Sequence, residues 1–140
     1  MNASDLERIF RSIPAQYAAY DLEWNIVAIT DTMLASLGRS RDEVVGKNQF
    51  DVFPDNPDDP DASGNAAMLG AFERVLVEKT GHVLPIVRYD IAGQDGVFRE
   101  RHWKPLNEPV LDDDGNICFI IHGVEDVTIS VMESKTSGIR

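Results

Sequence analysis

Residues 117–125 are the stretch that most constrains this chain. Ile120 and Val124 share one parity with His122, and Phe119 and Ile121 share the other. Successive side chains of a strand point to opposite faces. Both faces of this strand are therefore apolar, and both need cover. Such a strand belongs in the middle of a sheet that has helices on at least one side.

The upstream sequence supplies the neighbours. Residues 83–91 and 97–106 read as two further strands. The turns Gly93-Gln94-Asp95-Gly96 and Asp112-Asp113-Asp114-Gly115-Asn116 have the chemistry of hairpin loops. Before them lies the longest helix, residues 64–79, with Met68, Leu69, Phe72, Val75 and Leu76 on one face and Gly81 as its stop. Earlier still, residues 17–20 and 25–29 form two short strands around a turn at residues 21–24. Thr30-Asp31 caps a helix that carries Met33, Leu34 and Leu37 and ends at Gly38. Ser40-Arg41-Asp42-Glu43 is a capping box for a short helix that ends at Gly46. Residues 51–63, rich in Asp and Pro, read as a loop.

The chain opens with another capping box, Ser4-Asp5-Leu6-Glu7. Leu6, Ile9, Phe10 and Ile13 then form one apolar stripe, stopped by Pro14. A helix this short is marginal alone in water, so the stripe must pack on the sheet or on a partner chain. The order is helix, two strands, short helices, long helix, three strands. It predicts an α+β domain: a five-stranded antiparallel sheet with helices on one face and an N-terminal amphipathic helix.

Composition narrows the function. The 140 residues fit one domain, and 43% of them are apolar, enough for a core. With 13 basic and 24 acidic residues the net charge is −11. That disfavours nucleic acid and anionic membrane surfaces as partners, because both need clustered cations. The lone cysteine, Cys118, builds no disulfide framework or thiolate metal site and reads as an inert buried thiol. Residues 1–6 lack the basic and apolar regions of a signal peptide, and no stretch is long and apolar enough for a membrane span. A cytoplasmic location is the expectation.

Several segments together resemble the PAS family. Gly38-Arg39-Ser40-Arg41-Asp42-Glu43-Val44-Val45-Gly46 is similar to the family's G-x-S-x-E-E-L-x-G stretch. Phe50-Asp51-Val52-Phe53-Pro54 resembles the Phe-rich segment that follows it. Asp114-Gly115-Asn116 resembles the turn into the final strand, and Glu125-Asp126-Val127-Thr128 the D-[IV]-T ending. The run from Tyr89-Asp90 through Phe98-Arg99-Glu100-Arg101-His102-Trp103 to Asn107-Glu108-Pro109-Val110 looks like PAS domains near the N-terminus of bacterial sensor histidine kinases. One departure is Thr30, where the family often carries Asn; Thr still caps the helix. The resemblance implies a capping helix at residues 1–14, a PAS core at 15–128 and the start of an output linker or tail at 129–140. It also implies a sensory module that passes a signal to an output domain, here a histidine kinase.

The resemblance places any ligand between the sheet and the helices. The candidate lining is Met33, Leu37, Phe50, Met68, Phe72, Tyr89, Trp103, His122 and Val124. His122 reads either as a pocket residue that bonds a polar ligand or as a core histidine satisfied by a neighbouring side chain. Tyr89 and Trp103 read either as pocket walls or as ordinary core. Haem-binding relatives take a His from the long helix, and residues 64–79 contain none. Flavin-binding LOV relatives carry a reactive Cys in G-x-N-C-R-F, and here Gly46-Lys47-Asn48-Gln49-Phe50 has Gln49 at that place. Haem and covalent flavin are therefore not expected. Asp51, Asp55, Asp58, Asp59 and Asp61 lack EF-hand spacing and are broken by prolines, so they read as a solvated loop and not a metal site. The turn at residues 112–115 reads the same way, and His82 reads as a solvated loop residue.

At the exit, Asp126 and Thr128 can bond nearby backbone N–H groups, and the resemblance makes them signal-coupling residues. Ser130-Val131-Met132-Glu133 offers a further capping box. The stripe of Leu6, Ile9, Phe10 and Ile13 predicts a homodimer. Three functions follow: a sensor that binds a small molecule or mediates dimerisation, a ligand-free PAS scaffold, and a small α+β isomerase with an Asp or His base. The order of elements disfavours the isomerase, because such folds begin with long helices.

Overall fold

The structure is a computed structural model and describes residues 1–137. Residues 138–140 of the expected tail lie outside the described residues. The elements run α1 Ala3–Arg11, β1 Gln16–Tyr20, β2 Ile26–Ile29, α2 Asp31–Leu37, α3 Arg41–Val44, α4 Gln49–Val52 and α5 Gly64–Glu78. They continue with β3 His82–Val83, β4 Val87–Arg88, β5 Ile91–Ala92, β6 Phe98–Arg99, β7 His102–Leu111, β8 Ile117–Asp126 and α6 Thr128–Ser137.

The main sheet is antiparallel, in the order β2-β1-β8-β7-β3, with β4 also paired to β7. The strand with two apolar faces, β8, lies at its centre. Ile120 is fully buried and His122 nearly so, whereas Phe119 is 39% exposed. Ile120 and His122 thus face the helices, as the alternation predicts. The opposite face is only partly covered: α1 touches β2 and buries none of its residues completely.

The strands after the long helix differ from the expected pattern. Residues 83–91 are not one strand. β3 and β4 pair with β7 as two separate pieces, with Pro85 between them. Residues 97–106 also divide. Phe98–Arg99 pairs with Ile91–Ala92 in a small separate hairpin, and the long strand β7 starts only at His102.

Several helix ends also differ. The N-terminal capping box lies two residues earlier than expected: Asn2 Oδ1 accepts from Asp5 N–H, and the Asp5 carboxylate accepts from Asn2 N–H. The helical turn α4 takes in Asp51 and Val52, which the sequence reading gave to a loop. Lys79, in the left-handed region (φ 54°), ends α5 ahead of Gly81. Thr30 caps α2 by accepting from Met33 N–H, and Gly38 closes it at φ 66°. Glu43 accepts from the backbone N–H of Ser40, the carboxylate half of the capping box, and also from the Ser40 hydroxyl. The exit helix α6 begins at Thr128, directly after the strand, and not at the box around Ser130.

The core lies between the sheet and α2–α5. Tyr20, Ile26, Ile29, Val44, Phe72, Val75 and Ile120 are almost entirely buried there. Trp24 sits in the turn between β1 and β2 with φ at 70°, unusual for a bulky side chain, and its ring stacks on Phe72 at 5.0 Å.

Candidate functional site

The core does not fill completely. A cavity of about 70 Å³ remains between β1, β7 and β8 on one side and α2, α4 and α5 on the other. Met33, Leu37, Met68, Tyr89, Trp103, His122 and Val124 line it, as expected. Phe50 and Phe72 do not. In α4 it is Gln49 that turns inward, leaving Phe50 half-buried beside it. Phe72 is spent on packing: its ring meets Tyr20, Trp24 and His122 at 5.0 to 5.7 Å.

Backbone pairing explains the position of Gln49. Residues 46–49 run along β2, with bonds from Gly46 N to Ile26 O, from Ile26 N to Lys47 O and from Gln49 N to Trp24 O. Asn48 then caps α4 by accepting from Phe50 N–H. The buried Gln49 projects into the cavity, where its Oε1 accepts from the Tyr20 hydroxyl at 2.8 Å. Ala67 and Ala71 on α5 keep the space open from the helix side.

Asn107 is the second polar residue that the sequence reading missed. It is 1% exposed and lies opposite His122 in the β7–β8 register, and its Oδ1 is 2.7 Å from His122 Nδ1. A carbonyl oxygen only accepts, so His122 holds its proton on Nδ1 and offers a bare Nε2. Burial pushes the His122 pKa down to about 4, so the imidazole is neutral at physiological pH. His122 is therefore a core histidine satisfied by a neighbouring side chain, and it also lies on the wall of the cavity.

The other polar walls are committed to protein partners. Trp103 Nε1 donates to Tyr89 O at 2.9 Å, and the Tyr89 hydroxyl lies between Phe53 O and Asn65 Oδ1. Burial raises the pKa of both Tyr20 and Tyr89, so neither phenol ionises in the physiological range. No Asp, Glu, Lys or Arg is among the lining residues.

Behind the Trp103 wall stands Arg101. Its guanidinium lies 5.6 Å from the Trp103 ring, donates to Asp126 Oδ2 at 2.9 Å and donates to Ser36 O of α2 at 3.1 Å. Asp126 in turn accepts from the backbone N–H and the hydroxyl of Thr128, and Thr128 Oγ1 accepts from His102 N. Burial alone would raise the Asp126 pKa. The bonds from Thr128 and the charge of Arg101 outweigh that and hold it below the usual carboxylate range. Val127 N–H bonds His102 O, and Lys135 of α6 approaches Glu100 at 3.5 Å. The exit helix is thus fastened to β7 and to the cavity wall by one polar chain.

The remaining candidates are dispersed. Leu6 and Ile9 are more than half exposed, and Phe10 and Ile13 are half-buried. Cys118 is only partly buried, its thiol 3.3 Å from Val110 O. His82 bonds Glu78 across the end of α5. In the acidic loop Asn56 and Asp59 accept from Asp58 N–H and Asp61 N–H in Asx turns, Asp55 accepts from Asn65 N–H of α5, and no group of metal-binding side chains is present among the described residues. Among those residues no helix is long and apolar enough to cross a membrane.

No protein-family model matches the sequence, and no curated protein matches it. Solved structures do match the fold. A PAS domain from Colwellia psychrerythraea superposes with a TM-score of 0.68 at 11% identity, over 90% of this chain and 97% of that one. A sensory box sensor histidine kinase from Vibrio cholerae gives 0.59 at 15% identity, over 89% and 90%. The PAS domain of Bordetella pertussis BvgS gives 0.55 at 16% identity, over 96% and 94%. The fold of this chain is the PAS fold.

Proposed function

We propose that this PAS-fold chain is the sensory module of a bacterial signal-transduction protein. Residues 15–128 hold a small molecule in the internal cavity. Residues 129–140 begin the connection to an output domain, a histidine kinase, in the cytoplasm. The observation that carries this reading is the contact chain Trp103–Arg101–Asp126–Thr128, which joins the cavity wall to the first residue of α6. A ligand that pressed on Trp103 or on α2 would bear on Arg101, and through it on the start of α6. Such a ligand shifts an equilibrium only if it favours one arrangement of that chain over the other.

Binding is better supported than turnover. The cavity has no carboxylate, and His122 is the one titratable nitrogen on its wall, already engaged by Asn107. The isomerase reading is left with His122 Nε2 as its candidate base on the wall and no charged side chain there to steady a developing negative charge. Homodimerisation belongs to the same proposal. Leu6 and Ile9 stay exposed on α1, an apolar stripe that a second copy would cover.

The test needs no ligand. Replacing Ala71 with Leu fills the cavity from α5 and stands in for occupancy. Hydrogen exchange should then change at residues 128–137 as well as at the cavity walls. A change confined to α5, β7 and β8 would mean that occupancy is not passed to the exit helix, and the sensory reading would fail.

A further inference from the structure

Resting on the reading of the cavity as a ligand site, we infer that its ligand is a small uncharged molecule with an apolar body and one amide or hydroxyl group. Size comes first. The cavity of about 70 Å³ is several times the roughly 10–15 Å³ needed to admit one water, so it has room for a small molecule.

Charge comes second. The walls hold no acidic or basic side chain. Two guanidiniums lie against ring residues of the wall, each bonded to protein oxygens outside it. Arg39 lies against the Phe53 ring and donates to Ala92 O, and Arg101 is held by Asp126 and Ser36 O. A charged ligand would enter without a counter-ion and lose its hydration, which is costly in an apolar site. The neutral imidazole of His122 offers no compensating positive charge.

Polar recognition comes third. Tyr20 occupies Gln49 Oε1, and Tyr89 and Trp103 are committed to protein oxygens. The Asn107–His122 pair has spent Oδ1 and Nδ1 on each other. Its remaining valences are the N–H donors of Asn107 Nδ2 and the lone pair of His122 Nε2, and no further bond joins either side chain to the protein among the described residues. Both residues line the cavity. A donor beside an acceptor matches one ligand group that both accepts and donates, which is the chemistry of a primary amide or an alcohol. A pure hydrocarbon would leave both valences unpaired, and a carboxylate would face the bare Nε2 with like polarity.

The experiment is a titration of the ¹⁵N-labelled chain with three near-isosteres: isobutyramide, isobutyrate and isobutylamine at neutral pH. Isobutyramide should shift the Asn107 side-chain amide and the His122 Nε2 resonances saturably. The two ions should bind more than roughly tenfold more weakly, since tenfold corresponds to only about 1.4 kcal/mol. If either ion shifted those resonances as tightly as the amide, the inference about ligand class would be overturned and the sensory reading would stand. If none of the three shifted them, the inference would again be overturned. The Ala71→Leu exchange experiment would decide the sensory reading separately.

Discussion

Asn107 and His122 stand directly opposite each other in the β7–β8 register and share one buried hydrogen bond of 2.7 Å on the cavity wall. The pair makes stability depend on pH. Burial lowers the His122 pKa from 6.5 to about 4. As pH falls, the unfolded chain takes up this proton first. Stability from this group is intact above about 6.5 and is lost as pH falls from there towards about 4, by on the order of 3 kcal/mol in total. Tyr20, edge-on to His122, stays protonated throughout that window. Urea denaturation from neutral pH down to about 5 should show the midpoint falling. His122→Gln should flatten that slope. An equal slope in the variant would assign the effect to other groups.

Gly64 opens α5 where a side chain has no room. A Cβ there would lie 2.5 Å from Tyr89 Cγ. Tyr89 cannot easily retreat, because its hydroxyl is held by Phe53 O and Asn65 Oδ1. Gly64→Ala should cost about 1–3 kcal/mol despite alanine's better helix propensity. Chemical denaturation measures this, and an unchanged midpoint would show that Tyr89 moves freely.

Asp126→Ala should fold. The variant loses side-chain bonds to Thr128 and Arg101, each worth roughly 1 kcal/mol, against a domain stability of about 5–15 kcal/mol. Hydrogen exchange at residues 128–137 should accelerate, while the response of the cavity resonances to isobutyramide stays as in the parent chain. Unchanged exchange at α6 would reduce Asp126 and Thr128 to an ordinary strand stop.

The apolar stripe of α1 makes its own prediction. Light scattering should show a dimer for the parent chain and a folded monomer for the double variant Ile9→Asp, Phe10→Asp. Ile9 is 57% exposed and Phe10 half-buried in the single chain, so unfolding of the variant would show instead that α1 packs on its own sheet. A variant that remained dimeric would remove α1 from the interface.

The sheet and its polarity were legible because a strand's period of two is stringent. The parity of Ile120, His122 and Val124 has only one arrangement that buries them. Asn107 carried the same signal. It shares parity with Trp103 and Pro105 on β7, yet a polar side chain does not announce burial on its own. Gln49 and Phe50 show where pattern fails. On a single helical turn, hydropathy favours Phe50 as the inward residue, but the pairing of residues 46–49 with β2 sets the phase and turns Gln49 in. That pairing is non-local, so no window of sequence contains it. The split of residues 83–91 falls at Pro85, a residue with no N–H, whereas the N-terminal cap falls at Asn2, two residues before the Ser4 box.

The same two departures govern how the molecule meets its own copies. One margin of the sheet is cut by Pro85 into pieces of two residues, β3 and β4. At the other margin, the outward N–H and C=O of Ile26 are bonded to Lys47 and Gly46. A free strand edge invites a further strand from a neighbouring molecule, the first step towards fibres. Here neither rim presents an unbroken row of free amides to copy. The domain can therefore leave Val83 and Ile86 in water without recruiting strands, and self-association is left to side-chain surfaces, where it can be reversible and tuned.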